Sequence, residues 1–126
     1  MAIHESCHLI AVIGGKGGVG KSVFAANLAF TFLKEMRAPT LLIDGDPKSC
    51  GDQNFITGIR PKQTVMDVAQ FKGVISAQSV DQLVSKHQTG VGYIGAVHGP
   101  DQTFQVDTAL LKKQLFSISQ QFKFIV

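Results

Sequence analysis

Gly15-Lys16-Gly17-Gly18-Val19-Gly20-Lys21-Ser22 decides how this chain is read. The stretch fits G-x-x-x-x-G-K-[ST] at every fixed position. Just before it, Leu9 to Ile13 is apolar, compact and ended by glycine, which predicts a short buried strand. Just after it, Ser22 to about Met36 reads as a helix, with Phe24, Leu28 and Phe32 on one stripe and Val23, Asn27 and Phe30 beside it. That helix is apolar nearly all round, so it should be covered on several sides. Strand, glycine-rich turn and helix N-terminus together make an anion site. The glycines allow successive N–H groups to aim at one anion, and the helix N-terminus adds positive partial charge. Lys21 can bring a full charge to the β- and γ-phosphates of a nucleotide, and the Ser22 hydroxyl is a ligand for Mg²⁺. The plain alternative is a glycine-rich turn with no ligand, but the complete match between a strand and a helix argues against it.

Outward from the loop, Arg37-Ala38-Pro39 ends the helix, because proline disfavours helix in the residue before it. Thr40 to Asp44 is a second buried strand, and Asp44 to Lys62 is mostly loop, with a short helix near Gln53–Phe55. Thr64 to Phe71 looks helical, with Thr64 as N-cap and Asp67 three residues on. Ser79 is expected to cap a helix over Val80 to His87, and Val91 to Val97 alternates like a third strand. Asp107 to Gln121 is an amphipathic helix with Leu111, Leu115, Ile118 and Phe122 inward, and Phe122 to Val126 begins a fourth strand. Strands alternating with helices predict an α/β fold, a mainly parallel sheet flanked by helices.

Length and composition set the outer bounds. The 126 residues are enough for one domain, and 44% apolar against 17% charged residues can build a core, which excludes disorder as the main state. The balance of 12 basic and 9 acidic residues, +3, is far from the clustered charge of a dedicated nucleic-acid binder. Cys7 and Cys50 make no disulfide framework, which suits a reducing compartment. No export signal is visible, and the longest apolar stretch inside a helix pattern, Val23 to Leu33, is too short to span a bilayer. The expectation is a soluble, cytoplasmic protein.

Asp44-Gly45-Asp46-Pro47 lies at the carboxyl end of the second strand, where such sheets face their ligand. In an extended chain Asp44 and Asp46 share a face. Two carboxylates beside a phosphate make sense with a metal ion between them, or with a water to orient. A polar turn with an Asp cap is the bland reading. Lys16 is a second lysine at the start of the loop, where its side chain need not fold back on its own phosphates; elsewhere it would pass as an exposed lysine.

GKGGVGKS is the deviant Walker A motif, and the sequence resembles the ParA/MinD family of P-loop ATPases. The resemblance implies ATP and Mg²⁺ as cofactors. It implies nucleotide contacts from Gly15, Lys16, Gly17, Gly18, Val19, Gly20, Lys21 and Ser22, and a Mg²⁺ site at Ser22 and Asp44. By the same resemblance Lys16, Lys21 and Asp46 are the catalytic set. Lys16 would reach across an ATP-sandwich homodimer to the partner's nucleotide, and Asp46, the second Asp of switch I, would position or activate the attacking water. Pro47 matches the DNA-partitioning branch, but Lys48 stands where that branch usually has Gln.

The middle of the chain is similar to the TadZ/CpaE-like pilus-assembly ATPases. The likeness rests on Gly51-Asp52, Ile56-Thr57-Gly58-Ile59, Thr64 to Val68, His87 before a glycine turn, and Gly99-Pro100-Asp101. This implies a dimerisation switch that places or assembles a pilus or secretion apparatus, recruited to a membrane face or cell pole. A scaffold that holds nucleotide with negligible turnover, and a DNA-partitioning or division-site ATPase, are the other readings; the +3 balance gives nonspecific DNA little support. Two departures stand out. That branch usually carries a receiver-like domain ahead of its first strand, where about eight residues stand here, and its second Asp-bearing strand would begin where this sequence stops. The chain therefore reads as the N-terminal half of a ParA/MinD-like ATPase domain, residues 1–126, with weak or no turnover expected from it alone.

Other residues are less informative. His4, Glu5, Cys7 and His8 are metal-ligand types, but their helical spacing leads into a strand. His87 and His98 flank the third strand as lone histidines, and Cys50 is a small residue or a thiol. Phe55, Phe71, Phe104, Phe116, Phe122 and Phe124 are spread in a way that suits core packing rather than a base-stacking platform.

Overall fold

Neighbouring residues in each strand face opposite ways, and here both ways are apolar. Leu41, Ile94 and Ile125 enter one core cluster, while Leu42, Tyr93 and Val126, each the residue beside one of them, enter the other. A strand buried on both faces belongs to the middle layer of a three-layer domain. The computed structural model describes residues 3–17, 20–48, 51–99 and 101–126. Its elements in order are β1 (His8–Leu9), α1 (Lys21–Met36), β2 (Thr40–Ile43), α2 (Asp52–Thr57), α3 (Val65–Ala69), α4 (Ala77–Leu83), β3 (Ser85–Lys86), β4 (Gly92–Ile94), α5 (Thr108–Ser119) and β5 (Phe124–Ile125).

The sheet runs β1-β5-β2-β4-β3, parallel throughout except for β3, which pairs antiparallel with β4 at one edge. β5 lies between β1 and β2: Phe124 is in register with His8 on one side and Thr40 on the other, and Ile125 with Leu9 and Leu41. Helices α1 and α2 cover the Leu42 face; α3, α4 and α5 cover the Leu41 face with Val65, Val68, Val80, Leu83 and Ile118. The α/β class expected from the alternating pattern is what the fold shows. Among the described residues, no helix is long and apolar enough to cross a membrane.

Local chemistry explains the element ends. α1 begins after Gly20 at φ 81°, a left-handed conformation in which a side chain would be strained. It ends at Arg37, also left-handed, two residues before Pro39. Thr64 and Asp67 form the expected capping box: Asp67 takes the Thr64 N–H at 2.8 Å, and the Thr64 side chain takes the Asp67 N–H. Asp107 caps α5 through the N–H groups of Ala109 and Leu110.

Four expectations change. The helix expected from Val80 to His87 is α4, Ala77–Leu83, capped by Ser76 rather than Ser79. It stops early because Ser85 and Lys86 are drawn into pairing with Tyr93 and Gly92. The strand expected over Leu9 to Ile13 pairs regularly only at His8–Leu9; Ile10 adds one bond to Ile125, and Ile13 is 87% exposed. Helix α1 is not covered all round. It meets the sheet through the small residues Ala25, Ala26 and Ala29, and leaves Val23 and Phe24 largely in solvent. Phe55 is no core residue at 90% exposure, and Phe116 is also exposed, whereas Phe124 is buried and stacks on Phe32.

Gly95, just past β4, packs against the loop before α3. A Cβ there would lie 2.8 Å from Pro61 Cγ and 3.1 Å from Asn54 Oδ1. The proline ring cannot fold away, so the backbone would have to shift. Gly95→Ala is expected to destabilise the protein by about 1–3 kcal/mol, measured by urea unfolding, with the fold retained. A loss under about 0.5 kcal/mol would show that the contact is slack.

Candidate functional site

The parallel strands end together, and the segments leaving β1 and β2 meet at that edge. The Asp44 N–H donates to Ile94 O at 3.0 Å and the Ile43 N–H to Val126 O at 2.8 Å, which fixes where the chain leaves β2. A cleft of about 930 Å³ opens there, a size suited to a nucleotide. Its walls are the loop residues Gly15, Lys16, Gly17, Gly20, Lys21 and Ser22 on one side, and Asp44, Asp46 and Asp52 on the other. All the expected site residues that are described therefore line one cavity. Gly18, Val19 and Cys50 lie outside the described residues.

Lys21 is not free within it. Its Nζ forms an ion pair with Asp46 Oδ2 across the cleft, with both side chains about three-quarters buried. The other Asp46 oxygen accepts the Lys48 N–H at 2.8 Å, and the Asp46 N–H donates to Asp44 Oδ1 at 3.2 Å. The lysine expected on the phosphates and the carboxylate expected on the attacking water are thus held by each other. A polyphosphate entering the loop must take Lys21 away from Asp46. Lys16 is exposed at the rim, with no part in this pair.

Asp44 is 4% exposed, and its Oδ2 is buried with no hydrogen-bond partner among the described residues. A buried unmet acceptor of this kind costs about 1–3 kcal/mol. Burial pushes its carboxyl up to about 6; the backbone N–H groups of Gly51 and Gln53 and the charge of Lys21 act against this, and Asp52 acts with it. Burial, and then the charge of Asp44, pushes the Tyr93 hydroxyl the same way. That hydroxyl donates to Asn54 Oδ1. The residues fit Mg²⁺: a hydroxyl at Ser22 and an unmet carboxylate oxygen at Asp44 are hard oxygen donors beside a phosphate loop.

Sequence reading missed Gln53. It is 95% buried, its Nε2 donates to the Ser22 carbonyl at 2.7 Å, and its Oε1 is buried without a partner among the described residues. Nothing local signals this, since the contact joins residues 31 apart. The weaker candidates resolve into packing. The His4 ring bonds the Ser6 hydroxyl, and His8 stacks on Phe124. The His87 ring bonds the Thr89 hydroxyl beside Phe30, and His98 Nε2 meets Asp67 at 3.0 Å.

A parallel sheet with a phosphate loop at its carboxyl edge, faced by carboxylates from the next strand, defines a nucleotide-binding α/β domain. The chain belongs to the CobQ/CobB/MinD/ParA nucleotide binding domain family, whose pattern it matches over residues 10–120. It is also similar to the antiactivator FleN of Pseudomonas aeruginosa, 39% identical over 62 residues. The matched stretch is 49% of this chain and 21% of that relative's length.

The Asp44 environment has a pH signature. Unfolded, the carboxyl loses its proton near the ordinary value of 3.8; folded, it keeps it to about 6. Its contribution therefore favours folding below both values and is lost as pH rises from 3.8 to about 6. Asp44→Asn is expected to match the parent protein near pH 4 and to be more stable by about 1–3 kcal/mol near pH 7, read by urea unfolding at each pH. Equal stability at both would mean that Asp44 is charged at no penalty in the fold.

Proposed function

We propose that this domain binds Mg·ATP and works as a dimerisation switch that places or assembles a pilus or secretion apparatus. The observation that carries the nucleotide part is the Lys21–Asp46 pair within a cleft lined by the phosphate loop. In the structure the pair holds both groups. When ATP enters, the backbone of the loop and Lys21 take the phosphates, and Asp46 is released. Mg²⁺, when bound, supplies charge neutralisation between the phosphates; Ser22 and Asp44 would hold it. Asp46, freed beside the terminal phosphate, orients a water by accepting its hydrogen bond. Lys16, exposed at the rim, would serve a second copy's nucleotide, so that ATP joins two subunits and its hydrolysis parts them.

The spatial role rests on the resemblance of the middle of the chain to pilus-assembly ATPases. The match to a protein named as an antiactivator favours a second reading, in which the ATP state holds a regulatory protein. The two differ in what is bound, a structural component of the apparatus or an activator protein, and co-purification from cells with the ATP state trapped separates them.

Asp46→Asn tests the switch in a way that few active-site changes allow. Removing the charge that competes for Lys21 is expected to tighten ATP binding by about three- to tenfold in a fluorescent-nucleotide titration, while any turnover falls by at least about a hundredfold. Unchanged or weaker binding would mean that the pair does not gate the cleft. Light scattering with ATP should show a dimer that Lys16→Ala abolishes. A dimer indifferent to Lys16 would count against the shared-nucleotide arrangement.

A further inference from the structure

Gln53 touches both walls of the cleft. Its side-chain N–H group holds the Ser22 carbonyl, in the first turn of α1, at 2.7 Å. Its backbone N–H faces the Asp44 carboxylate. An apolar residue of the same size would fill the space without burying an acceptor that meets nothing, yet Gln53 Oε1 is such an acceptor among the described residues. The element that carries it is equally unusual. α2 is six residues long and lies between Gly51 at φ 94° and Gly58 at φ 69°. A helix so short has no stability of its own and keeps its place through what it touches. Among the helices it packs chiefly on α1. Phe55, two positions from Gln53 and so on the far side of the helix, is 90% exposed.

We propose that Gln53 is a positioning residue that makes the placement of α2 depend on nucleotide occupancy of the cleft. The inference rests on the nucleotide reading above. A bound phosphate fixes the first turn of α1, and with it the Ser22 carbonyl that Gln53 holds. A loaded cleft also brings new proton donors to the buried Oε1. Ser22 lines the cleft with Gln53, and a metal ion held by the Ser22 oxygen would turn its O–H away from the ion, where Oε1 can accept it. Gln53 then makes more hydrogen bonds in the loaded state than in the empty one. That difference between states is what allows a ligand to shift the equilibrium of an element beside it. α2, hinged on two left-handed glycines, is the element shifted, and its outer face carries the change to the surface.

Amide hydrogen exchange on the protein, with and without Mg·ADP or Mg·AMPPNP, tests this directly. In the parent protein, residues 52–57 are expected to exchange about tenfold more slowly when nucleotide is bound. In Gln53→Leu the slowing should vanish, and nucleotide should bind about three- to tenfold more weakly, because the coupling is reciprocal. Phe55→Ala, on the outer face, should keep both the slowing and the affinity. Nucleotide binding that leaves residues 52–57 unchanged in the parent protein overturns the proposal, and this arm needs no variant to fold. So does a Gln53→Leu protein that keeps the full slowing. Failure of the parent protein to bind either nucleotide overturns the nucleotide reading, and this proposal with it.

Discussion

β5 holds the site together. β1 and β2 carry its two halves, yet they do not pair with each other; each pairs with Phe124–Ile125 between them. The register of β5 sets how far the phosphate loop after β1 stands from Asp44 and Asp46 after β2. Ile125 and Val126 are buried on opposite faces, so a slip of one residue would exchange their clusters and move the cleft walls apart. Phe124 and Ile125 therefore align strands that lie far earlier in the sequence, His8–Leu9 and Thr40–Leu41. Pairing at that separation is slow to form, and the cleft should be among the last features to assemble on folding.

Given that frame, the cleft is an electrostatic balance. Three carboxylates, Asp44, Asp46 and Asp52, line the same cleft as Lys21, with Asp44 buried, Asp46 half-buried and Asp52 exposed. One carboxylate is neutralised by the lysine, and another is pushed toward its protonated form by burial. This arrangement leaves an oxygen of Asp44 unmet among the described residues and commits the lysine to Asp46. Phosphate and a divalent cation supply what is missing on each side. Lys21 and Asp46 thus satisfy each other, while Asp44 is set for a cation and the loop for an anion.

Features set by neighbours in sequence were legible in advance. The phosphate loop between strand and helix, the Thr64–Asp67 capping box, the break at Pro39 and the alternating order of strands and helices all follow from spacing of a few residues. So did the meeting of Lys21, Ser22, Asp44 and Asp46 in one cavity, because parallel strands place their carboxyl ends together. Features set by distant partners were not. The antiparallel pairing of Ser85–Lys86, which shortens α4, the Gln53 contact to Ser22 and the mutual capture of Lys21 and Asp46 depend on which segments are brought side by side. Phe55 looked like a core residue because its composition is right; only the orientation of α2 puts it in solvent.

The exchange of partners by Lys21 is the central claim, and a crystal structure of the protein with Mg·AMPPNP tests it most directly. The account predicts Lys21 Nζ within hydrogen-bond distance of the β- and γ-phosphates, with Asp46 released from it and turned toward the terminal phosphate. A structure with nucleotide bound in the cleft and the Lys21–Asp46 pair still intact would contradict it.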